Sequence, residues 1–319
     1  MPSVDVVLIG RNEGARLVTA LASVAGQARQ IVYVDSGSTD GSLDTARAAG
    51  ARVIELDMSI PFTAARARNA GFDALDAPEF VQFIDGDCAL VPGFIDAART
   101  YLETHPGLGA VTGWRSEIHR DASVYNQICD WEWRRPPGPI EACGGDVMVR
   151  GEAWRSVGGM DPSVIAAEDD EFCVRLRKAG WGLERIPQEM TRHDAAMTRI
   201  SQWWSRAVRT GHGYAQVGHM HPGYFGQARR RVVLYGVVLP LLFLAGLIVS
   251  PWLSLATLLV YGLSYQRSAR GLIREGLPSG QAWHHALFLT LSKFPNVIGM
   301  ARYHLRRLRG ADMRIIEYK

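Results

Sequence analysis

Asp85, Gly86 and Asp87 follow directly on Phe80-Val81-Gln82-Phe83-Ile84. Two carboxylates separated by one glycine offer hard oxygen ligands side by side. That suits Mg²⁺ or Mn²⁺, and such an ion can in turn hold a diphosphate. An Asp-Gly step is also ordinary turn chemistry. A second acidic focus is Glu168-Asp169-Asp170-Glu171. Four neighbouring carboxylates raise one another's pKa, and a carboxylate kept basic beside a hydroxyl is a general base. Four acids opening a helix also gain from its macrodipole, so capping is the plain alternative. Asp35 heads Asp35-Ser36-Gly37-Ser38, where a binding role and a turn role both fit. His193 stands alone, and a lone histidine is more often structural than a ligand.

These residues need elements to hold them. Val4 to Ile9 reads as a strand, Ala15 to Ala25 as a helix, and Gln30 to Val34 as a strand ending at Asp35. A helix over Ser42 to Ala49, a strand over Arg52 to Leu56, a helix over Thr63 to Leu75 and the Phe80 strand follow. Strands alternating with helices at this rhythm predict a doubly wound, mostly parallel α/β sheet with right-handed crossovers. Ligands bind such sheets beyond the carboxyl ends of the strands. Asp35 and the Asp85–Asp87 pair both fall on that edge. Further on, Gly93 to His105 reads as a helix, Ala110 to Trp114 as a strand, and Pro136-Pro137-Gly138-Pro139 as a loop. Asp146 precedes the strand Val147 to Val149, where an acceptor-hydroxyl contact and a turn role fit equally. Leu183 to Ile186 reads as a strand stopped by Pro187, with His193 beyond it.

The ordered set Asn12-Glu13, Asp35 to Asp40, Asp85-Gly86-Asp87, Glu168-Asp169 and His193 resembles the family 2 glycosyltransferases over about residues 3 to 215. These are nucleotide-sugar-dependent enzymes of the GT-A fold. The resemblance implies that Asn12, Glu13, Asp35 and Asp85 contact the donor, with Asp35 at its base. The Arg-Asn-x-Gly element Arg68-Asn69-Ala70-Gly71 implies Arg68 near the donor diphosphate, against the plain reading of a solvated helix face. Asp87, with His193, is implied as ligand to Mn²⁺ or Mg²⁺, and Asp169 as the base, with Glu168 beside the acceptor. Two departures are visible: Ser36 stands where the family often has a second Asp, and Arg199-Ile200-Ser201-Gln202-Trp203 only approaches the Gln-x-x-Arg-Trp motif of processive members.

Trp203 and Trp204 suit stacking on acceptor sugars, and equally a membrane interface. Beyond them the composition changes. Val232 to Gln266 contains no charged residue, and Ser250-Pro251 divides this run into segments of 18 and about 14 residues. Arg229, Arg230 and Arg231 flank one end, Arg267 and Arg270 the other. The pattern predicts a membrane hairpin with both ends cytoplasmic. Ala282 to Ile298, broken by Pro295 and followed by Arg302, Arg306, Arg307 and Arg309, reads as an interfacial basic helix. The expected division is 1–225 for a cytoplasmic catalytic domain and 226–319 for the membrane part.

The net charge of +3 gives no nucleic-acid footprint. The four cysteines lack CxxC or zinc spacing and are expected reduced, and no signal peptide is expected at the start. The expectation is therefore an inverting, metal-dependent glycosyltransferase at the inner membrane. It would move a sugar from a nucleoside-diphosphate donor to a lipid-linked acceptor in cell-surface polysaccharide or glycolipid synthesis. A sugar nucleotidyltransferase would want a glycine-rich phosphate loop, and Gly10-Arg11-Asn12-Glu13-Gly14 is not one. An inactive membrane scaffold would not need intact acids at both foci.

Overall fold

The computed structural model describes residues 4–317; residues 1–3 and 318–319 of the two expected domains lie outside them. The described chain divides into two compact units, one of residues 4–122 and 129–196 and one of 123–128 and 197–317. The division falls ahead of the composition change near 226, so the helix from Ile200 goes with the apolar helices.

In the first unit, β1 (Val4–Gly10), α1 (Ala15–Val24), β2 (Ile31–Asp35), α2 (Ser42–Ala48), β3 (Arg52–Glu55), α3 (Ala64–Asp73) and β4 (Phe80–Asp85) follow one another as the alternation predicts. The strands β3, β2, β1 and β4 lie side by side and parallel. Their side chains alternate between two cores. Val6, Leu8, Phe80 and Ile84 pack with α1 and α4, whereas Val7, Ile9, Val81 and Phe83 pack with α3 and α7. Burial on both faces is why these strands are continuous apolar runs. Thr63 caps α3, its hydroxyl accepting the N–H of Arg66 at 3.1 Å.

After β4 come β5 (Cys88–Leu90), α4 (Phe94–Thr104), β6 (Leu108–Glu117), α5 (Val124–Trp133), β7 (Gly138–Pro139), β8 (Val147–Arg150), α6 (Gly151–Ser156), α7 (Glu168–Lys178) and β9 (Gly182–His193). Here the sheet becomes mixed. β8 is antiparallel to β4 and β6, while β9 runs parallel to β6 and antiparallel to β5 and β7. Pro187 does not end the strand, contrary to the sequence reading. The β6–β9 register slips between Thr112↔Arg185 and Trp114↔Glu189, and Pro187 occupies that bulge. A bulge leaves a residue unpaired, so the missing N–H breaks no ladder bond. The strand thus carries on to His193, opposite Glu117 on β6 and Cys88 on β5.

The second unit holds α8 (Ile200–Met220), α9 (Gly226–Val233), α10 (Leu239–Val249), α11 (Pro251–Arg274), α12 (Ser279–Leu291) and α13 (Lys293–Leu308). A π-turn over Leu234–Val238 joins α9 to α10 in one helix, Gly226–Val249, of 24 residues and mean hydropathy 2.7. Among the described residues it alone is long and apolar enough to cross a membrane. Ser250 is extended and Pro251 opens α11, which makes the expected turn. Ser254 donates to the carbonyl of Phe243 at 2.8 Å, and the Tyr261 hydroxyl to that of Tyr235, so the two helices pack back along each other. Leu241, Leu244, Leu247, Ile248, Trp252, Leu255 and Leu259 are exposed. The second arm is longer than its apolar run, continuing through Arg267 and Arg270 to Arg274. Pro295 does not break the last apolar stretch. The interruption is at Ser292, and Pro295 sits in the first turn of α13, where its absent N–H costs nothing.

Candidate active site

The carboxyl ends of β1, β2 and β4 deliver Asn12, Asp35 and Asp85 to one edge. Asn12, at φ 56, ties the first loop to the second. Its N–H donates to Ser38 Oγ at 2.9 Å, and its Oδ1 accepts the N–H of Thr39 at 2.8 Å. Glu13 pairs with Arg16 at 2.9 Å. Asp35 is buried, with Oδ2 accepting the N–H groups of Gly37 and Ser38 and Oδ1 the hydroxyl of Tyr33. The turn role of Asp35 is the one its own contacts display.

Arg68 does not present its guanidinium to solvent. It is 2% exposed and donates to Asp85 Oδ1 at 2.7 Å and Glu168 Oε1 at 3.0 Å. It is thus not the solvated helix face of the plain reading, and Glu168, also buried, is its partner. The two acids raise the arginine's pKa against the cost of burying it. Gly145 is required here, because a Cβ at that position would lie 2.4 Å from Arg68 Nη2. The arginine thus joins the acidic turn after β4 to the acidic start of α7.

Asp146, for which an acceptor contact and a structural role fit the sequence equally, is held by the protein itself. Its carboxylate is buried and fully engaged, accepting the N–H of Asp85 at 2.9 Å, the hydroxyl of Thr191 at 2.8 Å and the Arg115 guanidinium at 2.6 Å. Arg115 pulls it below the usual carboxylate range despite burial, which on its own would push it up. Trp203 is likewise buried, against Trp204 and Phe288 of its own unit, while Trp204 is exposed. The packing of Trp203 is a core role and not a sugar platform.

Asp87 and His193 do come together, with Oδ2 and Nε2 3.3 Å apart. The other ring nitrogen of His193 lies 3.5 Å from Glu117 Oε2, and the edge of Trp133 packs against the ring. Burial lowers the histidine's pKa, which favours the neutral, metal-binding imidazole. A carboxylate oxygen and an imidazole nitrogen at this separation can share one divalent ion, with Glu117 orienting the ring from behind. The residues fit Mn²⁺ or Mg²⁺. Cys88 is the third group beside Asp87 and His193, and burial raises its thiol pKa.

Asp169 is partly buried in the first turn of α7, its Oδ2 facing Gly144. Burial first, and Glu168 second, push its pKa up to about 6, with Arg68 pulling the other way. Ala167 just before it holds the left-handed conformation, φ 58 and ψ 36, without being glycine. Such strain recurs where a site fixes its neighbours.

Sequence reasoning missed Arg115 and Glu117. The strand reading stopped at Trp114, because Arg115-Ser116-Glu117 has no apolar run. Arg115 lies between Asp146 and Asp85, at 2.6 and 3.6 Å, with its guanidinium 5.3 Å from the Trp133 ring centre.

Comparison with known families decides the class. Glycosyl transferase family 2 matches residues 5–142, and Glycosyl transferase family group 2 matches residues 83–297, two thirds of the chain. The chain belongs to the family 2 glycosyltransferases. The chain is 25% identical over 231 residues to a pre-mycofactocin glycosyltransferase of Mycobacterium tuberculosis, covering 69% of this chain and 48% of that protein. It is 28% identical over 199 residues to a TPR repeat-containing protein of Synechococcus elongatus, covering 60% and 45%. The chain thus spans about half the length of the curated relatives it matches. A mannosyltransferase from Pyrobaculum calidifontis, solved with GDP-Man and Mn²⁺, superposes with a TM-score of 0.60 at 16% identity, covering 95% of this chain and 87% of that one. That likeness is one of fold, the GT-A fold.

Proposed function

We propose that this protein transfers a sugar from a nucleoside-diphosphate donor to a hydroxyl of a membrane-held, lipid-linked acceptor, with inversion at the anomeric carbon. The observation that carries the reading is the convergence of three groups on one unit. These are the Asp87–His193 pair, the Arg68-braced Asp85, and Asp169 with its raised pKa. Asp85 and the Asn12–Ser38 loop pair supply polar contacts for the nucleoside. Asp87 and His193 would hold Mn²⁺ or Mg²⁺, which when bound neutralises charge on the leaving diphosphate.

Asp169 accepts the proton of the acceptor hydroxyl. The freed oxygen forms its bond to the anomeric carbon from the face opposite the phosphate. The bond from that carbon to the phosphate oxygen breaks, and its electron pair leaves with the nucleoside diphosphate. A base with a pKa near the working pH is ionised yet still takes a proton readily.

The hairpin of α9–α10 and α11, with apolar side chains turned outward, supports attachment to a membrane with the catalytic unit on its cytoplasmic face. Holding enzyme and acceptor in one bilayer raises their effective concentration. Polysaccharide or glycolipid assembly is the class of process that consumes such a product. The test is a panel of nucleotide sugars against the detergent-solubilised chain. One donor should raise the unfolding temperature only with Mn²⁺ or Mg²⁺, and that donor should then label a polyprenyl-phosphate or glycolipid acceptor. Protection by no nucleotide sugar under any metal would overturn the assignment.

A further inference from the structure

The second unit carries a feature the reaction does not use. An open groove of about 700 Å³ runs along the first turns of the spanning helix, against α13. Arg229, Arg230 and His304 line it together with Val233, Leu234 and Met300. We propose that this groove binds the phosphate headgroup of an anionic phospholipid of the surrounding membrane, the arginines and histidine taking the phosphate and the apolar residues the start of an acyl chain. The proposal rests on the membrane reading above.

The order of residues along the helix argues for it. From Gly226 to Val238 the groove rises about 18 Å at helical pitch, from arginines to purely apolar side chains. A phospholipid has the same gradient, charged at the interface and apolar toward the hydrocarbon. No carboxylate lines the groove. Residues 197–319 contain sixteen arginines and lysines against three acids, Glu275, Asp312 and Glu317, so the surrounding field is cationic. The Nε of Arg229 is buried with no hydrogen-bond partner among the described residues. His304 is held below its usual pKa by burial first, then by the positive charge of Arg307, His219 and Arg229.

The groove has a structural cause. Pro240 has no N–H to give to the Gly236 carbonyl and its ring would crowd it, and the helix answers with the π-turn over Leu234–Val238. The wide turn puts Val233, Leu234 and Val238 along the cleft. At Gly236 the helices close again, since a Cβ there would lie 2.5 Å from Val297 and 2.7 Å from the Lys293 carbonyl. A free phosphate ion would use the arginines but not this apolar wall.

The experiment uses the full chain purified in dodecyl maltoside, with its unfolding midpoint read against added lipid. Phosphatidylglycerol should raise the midpoint by about 5 °C or more at saturation, and phosphatidylcholine or inorganic phosphate should not. Arg229→Gln with Arg230→Gln should abolish the shift, while Arg267→Gln with Arg270→Gln, equal in charge change, should keep it. Met300→Trp, which fills the groove and alters no charge, should also abolish it and serves if the arginine variant does not fold. An equal shift with phosphatidylcholine or inorganic phosphate, or loss in the Arg267/Arg270 variant, overturns the site. So does protection by polyprenyl phosphate alone, which would make the occupant the acceptor. Extraction of the unaltered chain from membranes by alkaline carbonate would overturn the membrane reading itself, a result separable from loss of the lipid shift.

Discussion

The carboxylate of Asp146 accepts the backbone N–H of Asp85 at 2.9 Å, so a residue on the approach to β8 fixes the start of the acidic turn after β4. The same carboxylate holds Arg115, which leans 3.6 Å from the Asp85 side chain. Replacing Asp146 with Asn keeps the shape and strips the charge facing a buried arginine. Breaking a buried pair in this way costs about 3 kcal/mol. Asp146→Asn should lower the unfolding midpoint and weaken donor binding, while the acceptor KM stays put. A change confined to the acceptor KM would return Asp146 to acceptor recognition.

The proposed metal dependence rests on Asp87 and His193, 3.3 Å apart. A chelator should abolish transfer, and Mn²⁺ or Mg²⁺ should restore it. Asp87→Ala should fold, since this carboxylate is partnered by other ligating groups rather than by the core, yet lose the metal-dependent rise in unfolding temperature. Glu117→Gln should keep the metal but weaken it roughly 10-fold, the usual size of an outer-shell loss. Full turnover in chelator would end the metal reading.

Topology is open to a direct test at the ends of the hairpin. Arg229 to Arg231 lie in the first turns of the first arm, and Arg267, Arg270 and Arg274 close the second. Single cysteines placed at Gln227 and Asp312 should both be labelled only when the cytoplasmic side is opened to an impermeant maleimide. Labelling of Asp312 from outside would mean that α12 and α13 also cross.

The parallel half of the sheet was legible because burial on both faces writes a strand as an unbroken apolar run, as in Val4–Ile9 and Phe80–Ile84. The edge on which Asp35 and Asp85 fall was legible because each closes an apolar strand of the parallel half. Pro187 misled because a proline in a bulge looks the same in sequence as one that stops a strand. Arg68 reads as a donor contact only through the family resemblance, and Asp146 and Trp203 read two ways each, because polarity or aromaticity marks a site without saying what satisfies it. Their partners, Glu168, Arg115 and Phe288, are 100, 31 and 85 positions away and meet them only in the fold. Arg115 and Glu117 carried no local signal at all, lying on the polar tail of a strand whose apolar part ends at Trp114.

Asp169 allows the sharpest test, because the same burial that fits it as a base should cost stability. Its pKa is about 6 in the folded chain against an ordinary 3.8, with burial and Glu168 as the causes. The folded state therefore keeps a proton that the unfolded chain releases between those values. Stability at this site is full below about pH 4 and is lost as pH rises through 6. Asn carries no such charge, so Asp169→Asn should match the parent in stability at pH 4 and exceed it by about 1–3 kcal/mol above pH 6. Transfer should move the opposite way. With the unaltered enzyme kcat/KM should climb with pH through about 6, as the carboxylate ionises. Asp169→Asn should lose roughly 10² or more of the rate and the acid limb of the profile, while donor binding survives. If Asp169 only dressed the start of α7, Asn would cap about as well and the rate would hold. A stabilised variant with near-normal transfer would remove Asp169 from the chemistry and direct attention to Asp170 next to it.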